Sequence, residues 1–89
     1  MAGNDVEERV MAVVARVFHR ERGELSRDTR FLEDLHARSL NIVELTAVLE
    51  NEFDIEIPGG DARRNKTIGQ AVDYIAALLA RKAAAQASP

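Results

Sequence analysis

Residues 34–58 read DLHARSLNIVELTAVLENEFDIEIP, and this stretch decides the fold. Its apolar side chains recur at i, i+3, i+7 and i+11, the spacing of one face of an α-helix; they are Ile42, Leu45, Leu49 and Phe53. Ser39 stands where this helix should begin, and serine is a preferred N-terminal cap. The closing FDIEIP alternates like a strand. Because residues 58–60 are Pro-Gly-Gly, we expect instead the frayed end of the helix and an extended link.

A second helix is predicted before this stretch, from about Asp5 to His19. Asn4 and Glu7 have the spacing of a reciprocal N-terminal cap. A stripe of apolar residues follows at helical spacing, namely Val6, Val10, Val13, Val14 and Val17. Valine is a poor helix former, so packing must stabilise this helix.

A third helix is predicted after it. Thr67 and Gln70 repeat the capping spacing, and the stripe that follows is Ile68, Val72, Ile75 and Leu79. We expect this helix to end at about Arg81, and we expect the alanine-rich end of the chain to fray because it has nothing to bury.

Two connections complete the prediction. Residues 20–38 form a long loop with apolar anchors, Leu25, Phe31, Leu32 and Leu35, and with a short helical turn around Arg30 to Asp34. Such long loops are often functional. Residues 59–66 should form one helical turn capped by Asp61. The sequence therefore predicts one all-α domain over residues 1–89, ordered from about 5 to 81: a four-helix bundle of three main helices and one short helix.

Composition narrows the classes of function. The net charge is −3 and the pI is about 5.3, which argues against nucleic acid. There is no cysteine, and neither a signal peptide nor a membrane-length apolar run is visible, so we expect a soluble, cytoplasmic protein. His19 and His36 alone do not make a metal site. A His36–Ser39 nucleophile pair would still need a third group and a cleft, so we expect no catalytic activity.

Two interpretations of Ser39 remain open on these residues. The first is a helix cap and nothing more. The second is a point of attachment, because a helix N-terminus favours a phosphate group and the long loop exposes the hydroxyl. The stretch that follows carries five carboxylates and neither lysine nor arginine: Glu44, Glu50, Glu52, Asp54 and Glu56. This run indicates either a solvated face or attraction of a basic partner.

FLEDLHARSLNIVELTAVLENEFDIEIP, together with TIGQAVDYI at residues 67–75, resembles the acyl carrier protein family, and in outline the resemblance runs from Val6 to about Leu79. It implies a monomeric four-helix bundle in which Ser39 is esterified by 4′-phosphopantetheine, donated by coenzyme A through a separate phosphopantetheinyl transferase. The thiol of that arm carries acyl groups as thioesters. The implied partners are the transferase and the enzymes that load, condense and release fatty acyl, polyketide or related groups.

The resemblance also implies roles for other residues. A docking face for partner enzymes is implied for Arg38, Leu40, Val43, Glu44, Ala47 and Glu50. A double role, as core and as acyl pocket, is implied for the inward valines, Leu45, Leu49, Ile68 and Val72, although for any one of them core packing alone is the favoured interpretation.

This chain also departs from the family pattern. Arg38 replaces the usual aspartate, Asn41 stands where an acid is common, the short helix is basic, and Asn65 takes a usually apolar place. Arg38 and Asn41 keep open an unmodified, carrier-like bundle that acts as a binding or regulatory subunit. An aminoacyl or peptidyl carrier is a further alternative.

Overall fold

The computed structural model describes residues 2–87, with side chains over residues 5–86. Four α-helices follow in order: α1 (Ala2–Phe18), α2 (Ser39–Phe53), α3 (Gly59–Arg64) and α4 (Ile68–Ala87). A short 3₁₀ turn, Arg22–Glu24, interrupts the long loop. Within residues 2–87 no strand forms, and the only β-type pairing is an isolated bridge between Arg30 and Thr67. The predicted all-α four-helix bundle is confirmed.

The core lies where α1 packs against both α2 and α4. The three main helices contribute the stripes that the sequence predicted for them, and the most deeply buried side chains are Val10, Met11, Val14, Ile68 and Ile75. The buried face of α2 consists of Leu45, Leu49 and Phe53, while Ile42 is half-buried at its edge. Burial of these faces offsets the low helix propensity of the valines.

Helix α1 differs from its prediction at its start. It begins at Ala2 rather than at about Asp5, and it ends at Phe18 because His19 turns into the left-handed region with φ 57°. Asn4 therefore lies inside the helix, and the side chain needed for the predicted cap lies outside the part that the structure describes.

Helix α4 differs at its end, since it continues past Arg81 to Ala87. The added residues are rich in alanine, the strongest helix former, and contain no proline or glycine. At its start, Thr67 Oγ1 accepts the predicted hydrogen bond from the Gln70 N–H (3.1 Å). The Gln70 side chain instead accepts from the Lys66 N–H (2.6 Å).

Helix α3 forms as predicted, but the prediction of Asp61 as its N-terminal cap was wrong. The helix begins at Gly59 after Pro58, whose carbonyl accepts from the Asp61 N–H at 3.0 Å. Proline suits this position because it has no N–H to leave unpaired. Asp61 therefore lies within the first turn, where its carboxylate is free to accept a bond from the Tyr74 hydroxyl at 2.6 Å.

The long loop is fastened to the bundle by specific contacts. Leu25, Phe31 and Leu35 are buried anchors as predicted, but Leu32 is 67% exposed. The prediction that Leu32 is an anchor was wrong. This residue lies on the outer side of the turn at 31–35, where no helical or strand period fixes the direction of its side chain. Arg27 joins the loop to α1 and α4, since its guanidinium pairs with Glu7 of α1 (3.0 Å) and Asp73 of α4 (2.8 Å).

Candidate functional site

Ser39 is the first residue of α2, and its side chain is exposed. The cap position belongs to Arg38, whose backbone is extended (φ −103°, ψ 168°) and whose N–H donates to Asn41 Oδ1 at 2.8 Å. The interpretation of Ser39 as the helix cap is therefore wrong, because Asn41 reaches back to the cap residue instead. Within the described residues, the Ser39 hydroxyl has no hydrogen-bond partner.

The backbone around Ser39 offers unpaired donors. The first hydrogen bond of α2 runs from the Ile42 N–H to the Arg38 carbonyl (3.1 Å). The N–H groups of residues 39–41 lie ahead of it, as in the first turn of any α-helix. Such a helix end attracts a phosphate group through its free amides and its positive partial charge. Arg38 itself is exposed and forms no ion pair within the described part of the chain.

The turn before Ser39 is ordered by main-chain hydrogen bonds. The Ala37 N–H donates to the Phe31 carbonyl (2.9 Å), and the Phe31 N–H donates to the Lys66 carbonyl (3.1 Å). The Arg30 guanidinium forms an ion pair with the Asp34 carboxylate at 3.0 Å, and the hydrogen bonds from Arg30 hold the pKa of that carboxyl below its usual value. The hydroxyl of Ser39 is thus presented from a fixed turn and not from a loose loop.

The outward face of α2 carries exposed apolar groups beside the serine. Leu40 is 78% exposed and Val43 is 64% exposed. Glu44 and Ala47 are exposed as predicted. Glu50 has a structural task instead, because its Oε2 accepts from the Ile57 N–H at 2.8 Å and orders the link after α2.

Two of the five carboxylates in the acidic run form ion pairs at the surface of the molecule. Glu52 pairs with Arg9 (3.1 Å), whose guanidinium lies 4.3 Å above the Phe53 ring. Asp54 pairs with Lys82 (3.0 Å). In the part of the chain that the structure describes, only Glu44 and Glu56 of the five carboxylates have no such task. The sequence count therefore overstates the negative charge available to a partner.

A cavity of about 30 Å³ lies between α2, α3 and α4. Leu45 and Leu49 line it, as the resemblance implied, but Ile68, Val72 and the α1 valines do not. These residues have the core role that was also expected for them, because they pack where α1 meets α4. The lining is mostly apolar, and it also includes three polar side chains that sequence reasoning did not place there, from Thr46, Asn65 and Tyr74.

Tyr74 joins α4 to α3 beside this cavity. Burial, and then its hydrogen bond to Asp61, raise the pKa of the Tyr74 hydroxyl from 10.0 to about 12. Both causes favour the neutral phenol, so its contribution to stability is fully present below pH 10 and is lost as the pH rises toward 12.

We expect the near-ultraviolet absorbance of tyrosinate to report this shift directly, since Tyr74 is the only tyrosine. The native protein should titrate near pH 12, and Asp61→Asn should move the midpoint down toward the ordinary value. The exposed Glu56→Gln is a control that should leave the midpoint unchanged. A midpoint at pH 10 in the unsubstituted protein would contradict this assignment.

A nucleophile pair, a metal site and a membrane span were considered from the sequence and not predicted. His36 and Ser39 are both exposed, and no hydrogen bond joins them within residues 2–87. The described residues contain no group of three or more side chains suited to a metal ion. None of the helices over residues 2–87 has the length and apolar composition needed to cross a membrane.

The fold and the site define a small helical bundle that presents one serine hydroxyl at the start of its second helix. A protein-family model described as a phosphopantetheine attachment site matches residues 8–75, which is most of the chain. The chain belongs to this family, in agreement with the resemblance to acyl carrier proteins. Membership implies a covalently attached 4′-phosphopantetheine and contact with the enzymes that modify the carrier and handle its acyl groups.

Proposed function

We propose that this chain is an acyl carrier protein and that Ser39 bears its phosphopantetheine arm. The observation that carries the proposal is the exposed Ser39 hydroxyl, which has no partner among the described residues, at the N-terminus of α2 in a chain of this family. When bound, the arm supplies a thiol, which the chain lacks because it has no cysteine.

The residues around Ser39 fit the group. During modification, Ser39 Oγ forms a new ester bond to the phosphorus nearest the pantetheine of coenzyme A. The pyrophosphate bond breaks, adenosine 3′,5′-bisphosphate leaves, and the hydroxyl proton passes to a base of the transferase. The free N–H groups of residues 39–41 and the exposed guanidinium of Arg38 are the groups of this chain that would hold the phosphodiester. The chain contributes presentation and charge, and catalysis belongs to its partners.

The docking surface of this carrier comprises Arg38, Leu40, Val43, Glu44, Ala47 and Glu50. Exposed apolar side chains next to the modified residue support it, since such groups are enriched in the buried centres of interfaces. Glu44 is the carboxylate of this surface that has no hydrogen-bond or ion-pair partner within the described residues. Glu50 contributes by ordering the link after α2. The cargo is a fatty acyl, polyketide or related group. A monomeric state and a cytoplasmic location remain predictions of the sequence.

Peptide mapping tests the site of attachment. Trypsin cleaves after Arg38 and next after Arg63, so residues 39–63 form one peptide in which Ser39 and Thr46 carry the only hydroxyl groups. After incubation with coenzyme A and a broad-specificity transferase, fragmentation should place one phosphopantetheine on Ser39. Attachment at Thr46, or in another peptide, would refute the assignment.

Arg38 should influence which transferase accepts the protein. Arg38→Asp reverses an exposed charge beside the attachment point, so we expect kcat/KM to change by about two- to fivefold, and by different factors for different transferases. Arg63→Asp makes the same charge change on exposed α3 and is the matched control. Equal rates for Arg38→Asp and the unsubstituted protein across all transferases would rule out this role.

A further inference from the structure

We propose that the cavity beside α3 selects acyl chains that bear an oxygen substituent, such as β-keto or β-hydroxy groups, over saturated chains of the same length. This inference rests on the proposed carrier function and names the cargo that the carrier encloses. It follows from the polar side chains that line the cavity, which has a volume of about 30 Å³.

The cavity lies within reach of a group attached to Ser39. Ile42 and Thr46 line the cavity at positions i+3 and i+7 from Ser39, so all three lie on one side of α2. Thr46 is roughly 10 Å along the helix axis from Ser39, at about 1.5 Å per residue. A chain tethered at Ser39 therefore meets Ile42 first and Thr46 next.

The polar groups in the cavity have unused hydrogen-bonding capacity. Asn65 Nδ2 makes one weak bond, to the Asp61 carbonyl at 3.3 Å. Among the described residues, neither Asn65 Oδ1 nor the Thr46 hydroxyl has a hydrogen-bond partner. Together they offer both donors and acceptors, which is what a ketone or hydroxyl oxygen on the cargo requires.

A saturated chain would leave the polar part of this wall unpaired. Thr46 and Asn65 are half-buried, so solvent water can reach them. A methylene chain would displace that water without replacing its hydrogen bonds, whereas an oxygenated chain would replace them. The remaining lining, which includes Leu45, Leu49 and Ile75, is apolar and accepts the carbon skeleton of either cargo.

The wall formed by α3 is the one that can yield to admit a chain. Helix α3 spans Gly59–Arg64 and contributes no buried residue to the core. Its contacts to α4 include the bond between Asp61 and Tyr74. A segment with so little buried surface opens at a lower free energy than the core helices do. Enlargement of the cavity therefore leaves the packing of α1, α2 and α4 intact.

The test avoids the transferase, so that it is independent of the proposed function. The chain has no cysteine, and Ser39→Cys therefore gives a single thiol. This thiol is alkylated with iodoacetyl arms of pantetheine length that end in a saturated, β-keto or β-hydroxy chain of equal carbon number, joined by an amide. The shifts of the Leu45, Leu49 and Ile75 amide resonances in ¹⁵N NMR spectra measure how much of each chain is enclosed, because these residues line the cavity and stay unchanged in every variant.

We expect the oxygenated chains to be enclosed about three- to tenfold more than the saturated chain, the range that one or two net hydrogen bonds supply. Asn65→Leu together with Thr46→Val should reduce this preference to less than about twofold. Asn51→Leu, on the exposed face of α2, is the matched control and should preserve it. Equal enclosure of all three chains, or an unchanged preference in the double variant, would overturn the proposal. Failure of a transferase to modify Ser39 would refute only the carrier function.

Discussion

Ser39→Ala should abolish carrier function while leaving the fold intact. Alanine has no oxygen to esterify, so neither the arm nor any thioester can form. The fold should persist because Ser39 is exposed and its hydroxyl has no partner within the described residues; the free energy of unfolding should change by less than about 0.5 kcal/mol. The two readouts are thermal unfolding and the formation of acylated protein in the presence of coenzyme A, a transferase and a loading enzyme.

Ser26→Ala is the matched control for this prediction. Ser26 is also exposed and lies in the long loop before α2, where its hydroxyl accepts only from the Asp28 N–H at 3.2 Å. The Ser26→Ala protein should be acylated to the same extent as the unsubstituted protein. If the Ser39→Ala protein retained full function in its pathway, the carrier role would be wrong, and the alternative of an unmodified binding or regulatory bundle would be favoured.

Leu45→Ala should cause a large loss of stability. Leu45 is 5% exposed and packs in the core between the helices. Truncation of a buried leucine costs about 2–5 kcal/mol. A domain of this size has roughly 4–13 kcal/mol in total, at about 0.05–0.15 kcal/mol per residue. The variant should therefore unfold at a much lower denaturant concentration, measured by circular dichroism.

Leu40→Ala provides the matched comparison, with the same residue type on the same helix. Its side chain is 78% exposed, so the change in the free energy of unfolding should stay within about 0.5 kcal/mol. Similar losses in the two variants would show that the inner and outer faces of α2 have been wrongly assigned. Weaker binding of a partner enzyme by Leu40→Ala, without loss of stability, would support the docking surface.

The helices could be predicted because their signals are local. The stripe of Leu45, Leu49 and Phe53 sets both the existence and the buried face of α2, and the structure keeps that face. Leu32 could not be assigned in the same way, since a single apolar residue in a turn has no period to fix its direction. The end of α4 was also missed, because helix propensity can extend an alanine-rich helix where no side chain needs burial.

The site was less predictable because it depends on contacts between distant residues. Serine is so common as a cap that the sequence alone left this interpretation of Ser39 open. In the structure Arg38 occupies the cap position, and the Asn41 side chain accepts a hydrogen bond from the Arg38 N–H. The partners of Glu52 and Asp54 are Arg9 and Lys82, which lie far away in the sequence. Nothing in the acidic run itself reveals that these charges are neutralised.

The cavity shows the same limit. The leucines that line it could be named from the resemblance, but the presence of Asn65 and Thr46 in the same cavity depends on how α3 packs near α2. The departure of Asn65 from the family pattern was visible in the sequence as an anomaly. Its location in the cavity wall gives that anomaly a chemical meaning.

The most direct measurement is the intact mass of the unsubstituted protein after incubation with coenzyme A and a broad-specificity phosphopantetheinyl transferase. A carrier should gain the mass of one phosphopantetheine per chain, and the Ser39→Ala protein should gain none under the same conditions. No gain with this transferase or with the cognate one, from a protein shown to be folded, would contradict the carrier function.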